Sequence, residues 1–91
     1  MVLGVGDQLA VHIWETSSDG LFSTVERKHT SITSVIDENG EIFIPYVGLI
    51  KIAGKDIESV RQLIQSSLEG KAVEPQVQVV LLSNRDRVIL R

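Results

Sequence analysis

Asp37-Glu38-Asn39-Gly40 lies between Thr33-Ser34-Val35-Ile36 and Glu41-Ile42-Phe43-Ile44. This is the feature that most restricts the fold. Asn-Gly accepts positive φ at low cost, and an apolar-rich run on each side gives two strands something to bury. The pattern predicts a β-hairpin near residues 33–45. Pro45 has no amide hydrogen and is expected at the strand end or on an edge. Gly48 then permits a turn, and Leu49-Ile50-Lys51-Ile52 reads as a further short strand.

Upstream, Gly4-Val5-Gly6-Asp7 is a turn signal ahead of Leu9-Ala10-Val11-His12-Ile13-Trp14. Leu9, Val11 and Ile13 alternate with Ala10, His12 and Trp14, so a strand with one side in the core is expected. Trp14 would then cover a second layer or an edge. Residues 15–31 show no such period and read as a loop, with Leu21 and Phe22 as an apolar anchor and a short strand over 23–26.

Downstream, Asp56 suits a helix N-cap, because its carboxylate can accept free amides of the first turn. Glu58 sits where the helix dipole favours negative charge. Ile57, Val60, Ile64 and Leu68 recur at spacings of 3, 4 and 4, with Leu63 widening the stripe. The spacing predicts a helix over about 57–69 ending at Gly70, with Arg61, Gln62, Gln65 and Glu69 largely off the stripe. Glu74-Pro75 closes a linker, and residues 76–82 read as a strand whose second half is covered on both faces. The sum is an α+β fold: a small mixed β-sheet with one principal helix packed on it.

Ninety-one residues with 43% apolar and 23% charged composition suit one modest core. The chain is read as a single domain over 1–91, cut from a longer protein, with about 87–91 beginning the next domain. Met1-Val2-Leu3-Gly4 lacks the basic start and apolar stretch of a signal peptide, so any targeting segment is expected upstream. No apolar run approaches the roughly 18–20 residues that cross a bilayer as a helix. The absence of cysteine excludes disulfides and thiolate metal sites from this span.

Residues 1–50 carry Arg27 and Lys28 against seven acidic side chains, or −5, while residues 51–91 carry seven basic and five acidic, or +2. No basic cluster is dense enough for a nucleic-acid footprint. The split suits either a solvated surface or a head-to-tail contact between copies.

Catalytic chemistry finds little support. His12 reads as a strand-face histidine and His29 as a solvated loop residue, and neither has metal-ligand spacing around it. Asp37-Glu38-Asn39-Gly40-Glu41 resembles part of a calcium loop but lacks the remaining ligands, so a turn is the better reading. Gly4-Val5-Gly6 precedes a strand, whereas a dinucleotide fingerprint follows one. Ser17 and Ser18 have no histidine base nearby in sequence. No catalytic residue, cofactor or metal ligand is assigned, and composition and periodicity alone indicate a binding or assembly module.

Three motifs resemble the polysaccharide export domain of outer-membrane capsule and exopolysaccharide export proteins. The first is Gly4-Val5-Gly6-Asp7-Gln8-Leu9 running into Val11-His12-Ile13-Trp14, similar to the family's G-x-G-D-x-L opening and its strand ending in V-W. The second, Asp37 to Gly48 through Gly40, Ile42 and Pro45, is similar to its D-x-x-G-x-I-x-x-P-x-x-G segment. The third joins Ile52-Ala53-Gly54-Lys55-Asp56 and the following helix to Pro75-Gln76-Val77, where Glu74 stands in place of the family's frequent Asn. These motifs read as fold determinants and not as a sugar grip.

The resemblance covers about residues 4–82. It implies a periplasmic domain of an outer-membrane protein that forms a homo-oligomeric ring. That ring would take polysaccharide from an inner-membrane copolymerase or transporter. Arg61 and Lys71 are then candidate inter-subunit residues. Two rival readings are a β-grasp-like ligand-binding or adaptor module of another envelope system, and a non-catalytic domain of a larger enzyme.

Overall fold

The computed structural model describes residues 2–17 and 26–83. The readings placed on Ser18, on Leu21 and Phe22, on most of the 23–26 segment and on residues 87–91 lie outside the described residues.

Among the described residues, five strands and one helix follow in the order β1 (Gln8–Ser17), β2 (Glu26–Val35), β3 (Glu41–Ile44), β4 (Gly48–Lys51), α1 (Ile57–Leu68) and β5 (Gln76–Ser83). They form a three-stranded sheet in the order β2-β1-β5 and a two-stranded sheet of β3 and β4. Each of the three strand pairings is antiparallel. The expected α+β architecture is present, with a small sheet, one helix packed on it and a strand hairpin.

β1 is the central strand. Leu9, Val11 and Ile13 point into the core, as their alternation requires, and Val77 and Val79 of β5 join them on the same face. α1 packs against β5 and contributes Val60, Ile64 and Leu68. The small hairpin closes the core with Ile42, Ile44 and Ile50, while Phe43 and Leu49, paired across it, face outward. Leu3, Ile36 and Ile52 seal the end where the connecting segments meet.

The helix follows its sequence signals. Asp56 caps it, with Oδ1 accepting from the Ser59 amide at 2.8 Å. Ile57 and Leu63 pack at the margin of the core. The last helical residue is Leu68, and Gly70 follows at φ 86°.

Three expectations are corrected. Within the 15–31 segment read as a loop, the described residues are strand: Glu15–Ser17 extend β1 and Glu26–Ser31 begin β2. Beyond Ile13 and Ile32 the β1–β2 ribbon carries mostly polar side chains. Backbone pairing holds it without the alternation that betrays a half-buried strand.

The partner of residues 33–35 also differs. They pair with β1, which offers a ten-residue register, and residues 41–44 pair instead with Gly48–Lys51. The Asp37–Gly40 turn forms, with the Gly40 amide donating to the Asp37 carbonyl at 2.9 Å, but it passes the chain from one sheet to the other. One bond, from the Asp37 amide to the Glu41 carbonyl at 3.0 Å, is the rung that spans it. Finally, Val80 and Leu82 in the second half of β5 are exposed on the face away from the core, not covered on both sides.

Gly40 explains why this turn tolerates little else. Its φ is 78°, and a Cβ there would stand 2.8 Å from the Ala53 Cβ. Its carbonyl accepts from both the Ile52 and Ala53 amides. Gly40→Ala is expected to cost about 1–3 kcal/mol from backbone strain and crowding together. Adding Ala53→Gly should recover the crowding part but not the φ part, as read by urea unfolding. Ile64→Ala, which empties a fully buried position, is expected to cost about 2–5 kcal/mol in the same assay.

Candidate functional site

Segments from all three sequence motifs meet at one end of the molecule. The Leu3 amide donates to the Lys55 carbonyl at 2.9 Å, and the Gly54 amide returns a bond to the Leu3 carbonyl at 2.8 Å. The Gly6 amide donates to Ile36 O at 2.9 Å, and the Ile36 amide to Asp7 O at 2.9 Å. Segments 3–7, 36–40 and 52–56 are thereby stitched into one knot of turns.

Asp7 is the buried acidic residue in this knot, 2% exposed. Its Oδ2 accepts from the Gly4 amide at 2.9 Å, and its own amide donates to Gly4 O at 3.1 Å. Both bonds close the Gly4–Asp7 turn, and Gly6 supplies the positive φ of 91°. Asp37 acts similarly: Oδ1 accepts from the Asn39 and Glu41 amides, each at 2.9 Å. One carboxylate oxygen is thus committed to organising the turn, as the turn reading requires.

Pro45 and Tyr46 occupy the β3–β4 turn, which the Val47 amide closes on Ile44 O at 3.1 Å. Tyr46 takes φ 71° ahead of Gly48 at 103°. The sequence reading placed the turn's freedom at Gly48 and missed Tyr46, an uncommon residue at positive φ. Tyr46, Phe43 and Leu49 are all exposed on this hairpin.

Pro75 is buried at the start of β5. Its carbonyl accepts from Gln65 Nε2, and Gln65 Oε1 accepts from the Val77 amide at 3.1 Å. Gln65, set aside as an off-stripe helix residue, therefore clamps helix to strand with both ends of its amide. Nothing in helical periodicity separates such a glutamine from a solvated one.

Arg61 lies on the outer side of α1 and grips Glu58 through two bonds, Nε to Oε1 at 3.0 Å and Nη2 to Oε2 at 2.7 Å. This pairing pushes the Glu58 carboxyl down and the Arg61 guanidinium up. Lys71 is exposed just beyond the helix.

The remaining candidates meet on the opposite face of β1 from the core. His12 stays on a strand face, as expected, but His29 is a strand residue directly across from Trp14 and not a loop residue. His12 Nδ1 and His29 Nε2 are 3.2 Å apart. The Trp14 and His29 rings stack with centroids 4.8 Å apart and planes within 14°. The His12 ring lies 5.3 Å from His29 and 5.9 Å from Trp14. The adjacency depends on the β1–β2 register, which residues 15–31 do not advertise.

No metal cluster arises: among the described residues no group of three or more His, Asp or Glu side chains could hold an ion. Among the same residues no helix is long and apolar enough to cross a membrane.

The described residues thus form a small antiparallel α+β domain, knotted by turn motifs, with His12, Trp14 and His29 on the sheet face away from the core. Residues 1–82 match the family described as polysaccharide biosynthesis/export protein, and the chain belongs to that family. It is 34% identical over 90 residues to the capsule polysaccharide export protein BexD of Haemophilus influenzae, covering 90% of this chain and 23% of that protein. It is 30% identical over 90 residues to the capsule polysaccharide export outer membrane protein CtrA of Neisseria meningitidis, with the same coverage of 90% and 23%. Similarity to the EPS I polysaccharide export outer membrane protein EpsA of Ralstonia nicotianae is 30% over 97 residues, or 93% of this chain and 26% of that protein. The chain thus spans about a quarter of the length of the curated relatives it matches.

Two predictions follow from the turn and cap carboxylates. Asp7→Ala, which leaves a part-buried Gly4 amide without this acceptor, is expected to cost about 1–3 kcal/mol in urea unfolding. At Asp56, the bond from the Ser59 amide holds the carboxyl below its usual range. A carboxyl lowered on folding stabilises the folded state above its unfolded-state pKa and loses that contribution as pH falls through its folded value. Asp56→Asn keeps a capping oxygen but cannot titrate. Its thermal midpoint should therefore fall less steeply with acidification than that of the parent, as scans across the acid range would show.

Proposed function

We propose that this chain is a periplasmic module of an outer-membrane capsule or exopolysaccharide export protein, acting in ring assembly and passage of the polymer. The observation that carries this reading is the family match across nearly the whole chain, together with relatives named as export proteins of the outer membrane. The bonding of the three motif segments supports it physically, because they make a rigid block able to hold a fixed place among copies.

The mechanism is passive and non-enzymatic. Copies of the parent protein enclose a hydrated channel, and an inner-membrane copolymerase or transporter delivers polysaccharide into it. Neighbouring copies meet head to tail, with the acidic N-terminal half of one facing the helix-bearing half of the next. Lys71 and Arg61 supply positive charge on that second half. Arg61 enters the contact already paired with Glu58, so Lys71 carries more of the unneutralised charge.

The test is surface polysaccharide in a strain lacking the parent gene, with and without complementation. Loss restored by the gene is the expected result. An unchanged surface in a strain without a redundant exporter would overturn the reading. For the contact itself, Lys71→Glu in the full-length protein is expected to weaken ring formation more than Arg61→Glu does. Native mass spectrometry of both variants checks this, and rings that persist in both would remove these residues from the interface.

A further inference from the structure

The face of the three-stranded sheet that turns away from the core has a definite chemistry. Residues directly paired across strands share a face, so Gln76, Trp14 and His29 form one row and Gln78, His12 and Ser31 the next. His29, Ser31, Gln76 and Gln78 are exposed, and His12 and Trp14 are half-buried. α1 lies on the other side of the sheet, against the buried residues of β5. None of these six side chains is a carboxylate, an ammonium or a guanidinium.

The three rings form a near-parallel set. A bond between two imidazole nitrogens runs in the ring planes, so the 3.2 Å contact joins His12 and His29 edge to edge, with planes 19° apart. Such a pair leaves ring faces for other contacts. Trp14, the largest π surface in the chain, stacks on one face of His29. Amide and hydroxyl groups at Gln76, Gln78 and Ser31 flank the rings with both donors and acceptors.

We infer that this face is a binding platform for a polysaccharide chain, with pyranose rings lying on the His12–Trp14–His29 cluster. The pyranose C–H groups make an apolar face that fits the negative face of an aromatic ring. The hydroxyls around the sugar rim need partners of both kinds, which the flanking amides and Ser31 provide. A face without carboxylate, ammonium or guanidinium groups suits a polymer that must be held and released repeatedly. The strands set ring positions through backbone pairing, so little ordering is required on contact. The inference rests on the export reading for the identity of the ligand, and names the surface that the polymer touches. The same sheet face also carries Val80 and Leu82 further along β5, so a second copy of the chain is the competing occupant.

Trp14 is the single tryptophan, and its fluorescence and side-chain N–H resonance report this face alone. The probe is the mixture of short oligosaccharides released by partial hydrolysis of the surface polysaccharide from the strain that carries the gene. Titration into the labelled chain is expected to shift the resonances of His12, Trp14, His29, Ser31, Gln76 and Gln78 saturably, with a dissociation constant of about millimolar order. His29→Ala should weaken binding by about fivefold, the loss of one ring contact. Gln78→Ala should weaken it less, and unchanged resonances of Val60 and Ile64 would show that both variants are folded.

Absence of shifts at the six residues, or shifts confined to other surfaces, would overturn the platform. So would shifts at these residues that follow protein concentration without sugar, since a second copy would then be the occupant. The gene-deletion assay separates the two readings. Surface polymer that still depends on the gene, with no oligosaccharide binding here, sinks the platform and leaves export standing. Polymer that appears without the gene sinks export, and the platform loses its ligand with it.

Discussion

The pairing of β1 on both of its edges is the constraint on which the other features depend. β2 and β5 saturate its amides and carbonyls over most of its length, so the strand has no freedom to twist or slide. Its register also decides which side chains face the core. A slip of one residue would send Leu9, Val11 and Ile13 outward and bring Ala10, His12 and Trp14 in. Burial of the first set therefore turns the second to the opposite face of the sheet. The aromatic face is a consequence of the core, positioned without any contact of its own having to specify it.

The knot of turns at the other end works in the same way. Segments 3–7, 36–40 and 52–56 are far apart in the chain, yet each uses main-chain groups to satisfy another. Gly40 approaches Ala53 too closely for a side chain, and Asp7 spends its carboxylate on a neighbouring amide. These requirements explain why the family motifs fall where they do. Their turn residues specify how turns dock on one another, and a ligand need not be invoked for Gly4, Gly6, Asp7, Gly40 or Gly54.

How much of this was legible depended on where a residue's partners lie. α1 could be read closely, because its cap, its apolar stripe and its stop are all local. The inward half of β1 was legible for the same reason, since period-2 burial leaves a mark in six residues. β2 was not, because pairing with β1 holds it while most of its side chains remain exposed. The Asp37–Gly40 turn was visible as a turn, but its sequence could not tell a hairpin from a passage between sheets. That difference is decided by β1, which competes for residues 33–35 with a longer ladder. The family resemblance identified the turn residues as structural, while the stack of His12, Trp14 and His29 escaped because it needs the register of the strand that was missed.

The separation of core face and aromatic face has a mechanical consequence. Side chains on the outer face of a sheet contribute little to the buried core, so they can vary while the fold is kept. The core residues, in contrast, hold the outer face to a fixed spacing through the strand ladder. A platform built this way is preorganised by hydrogen bonds that it does not itself form. In an assembly, copies of the module would repeat that spacing around a symmetry axis. A polymer passing such an array would then meet weak, evenly placed contacts, which restrain its path without trapping it.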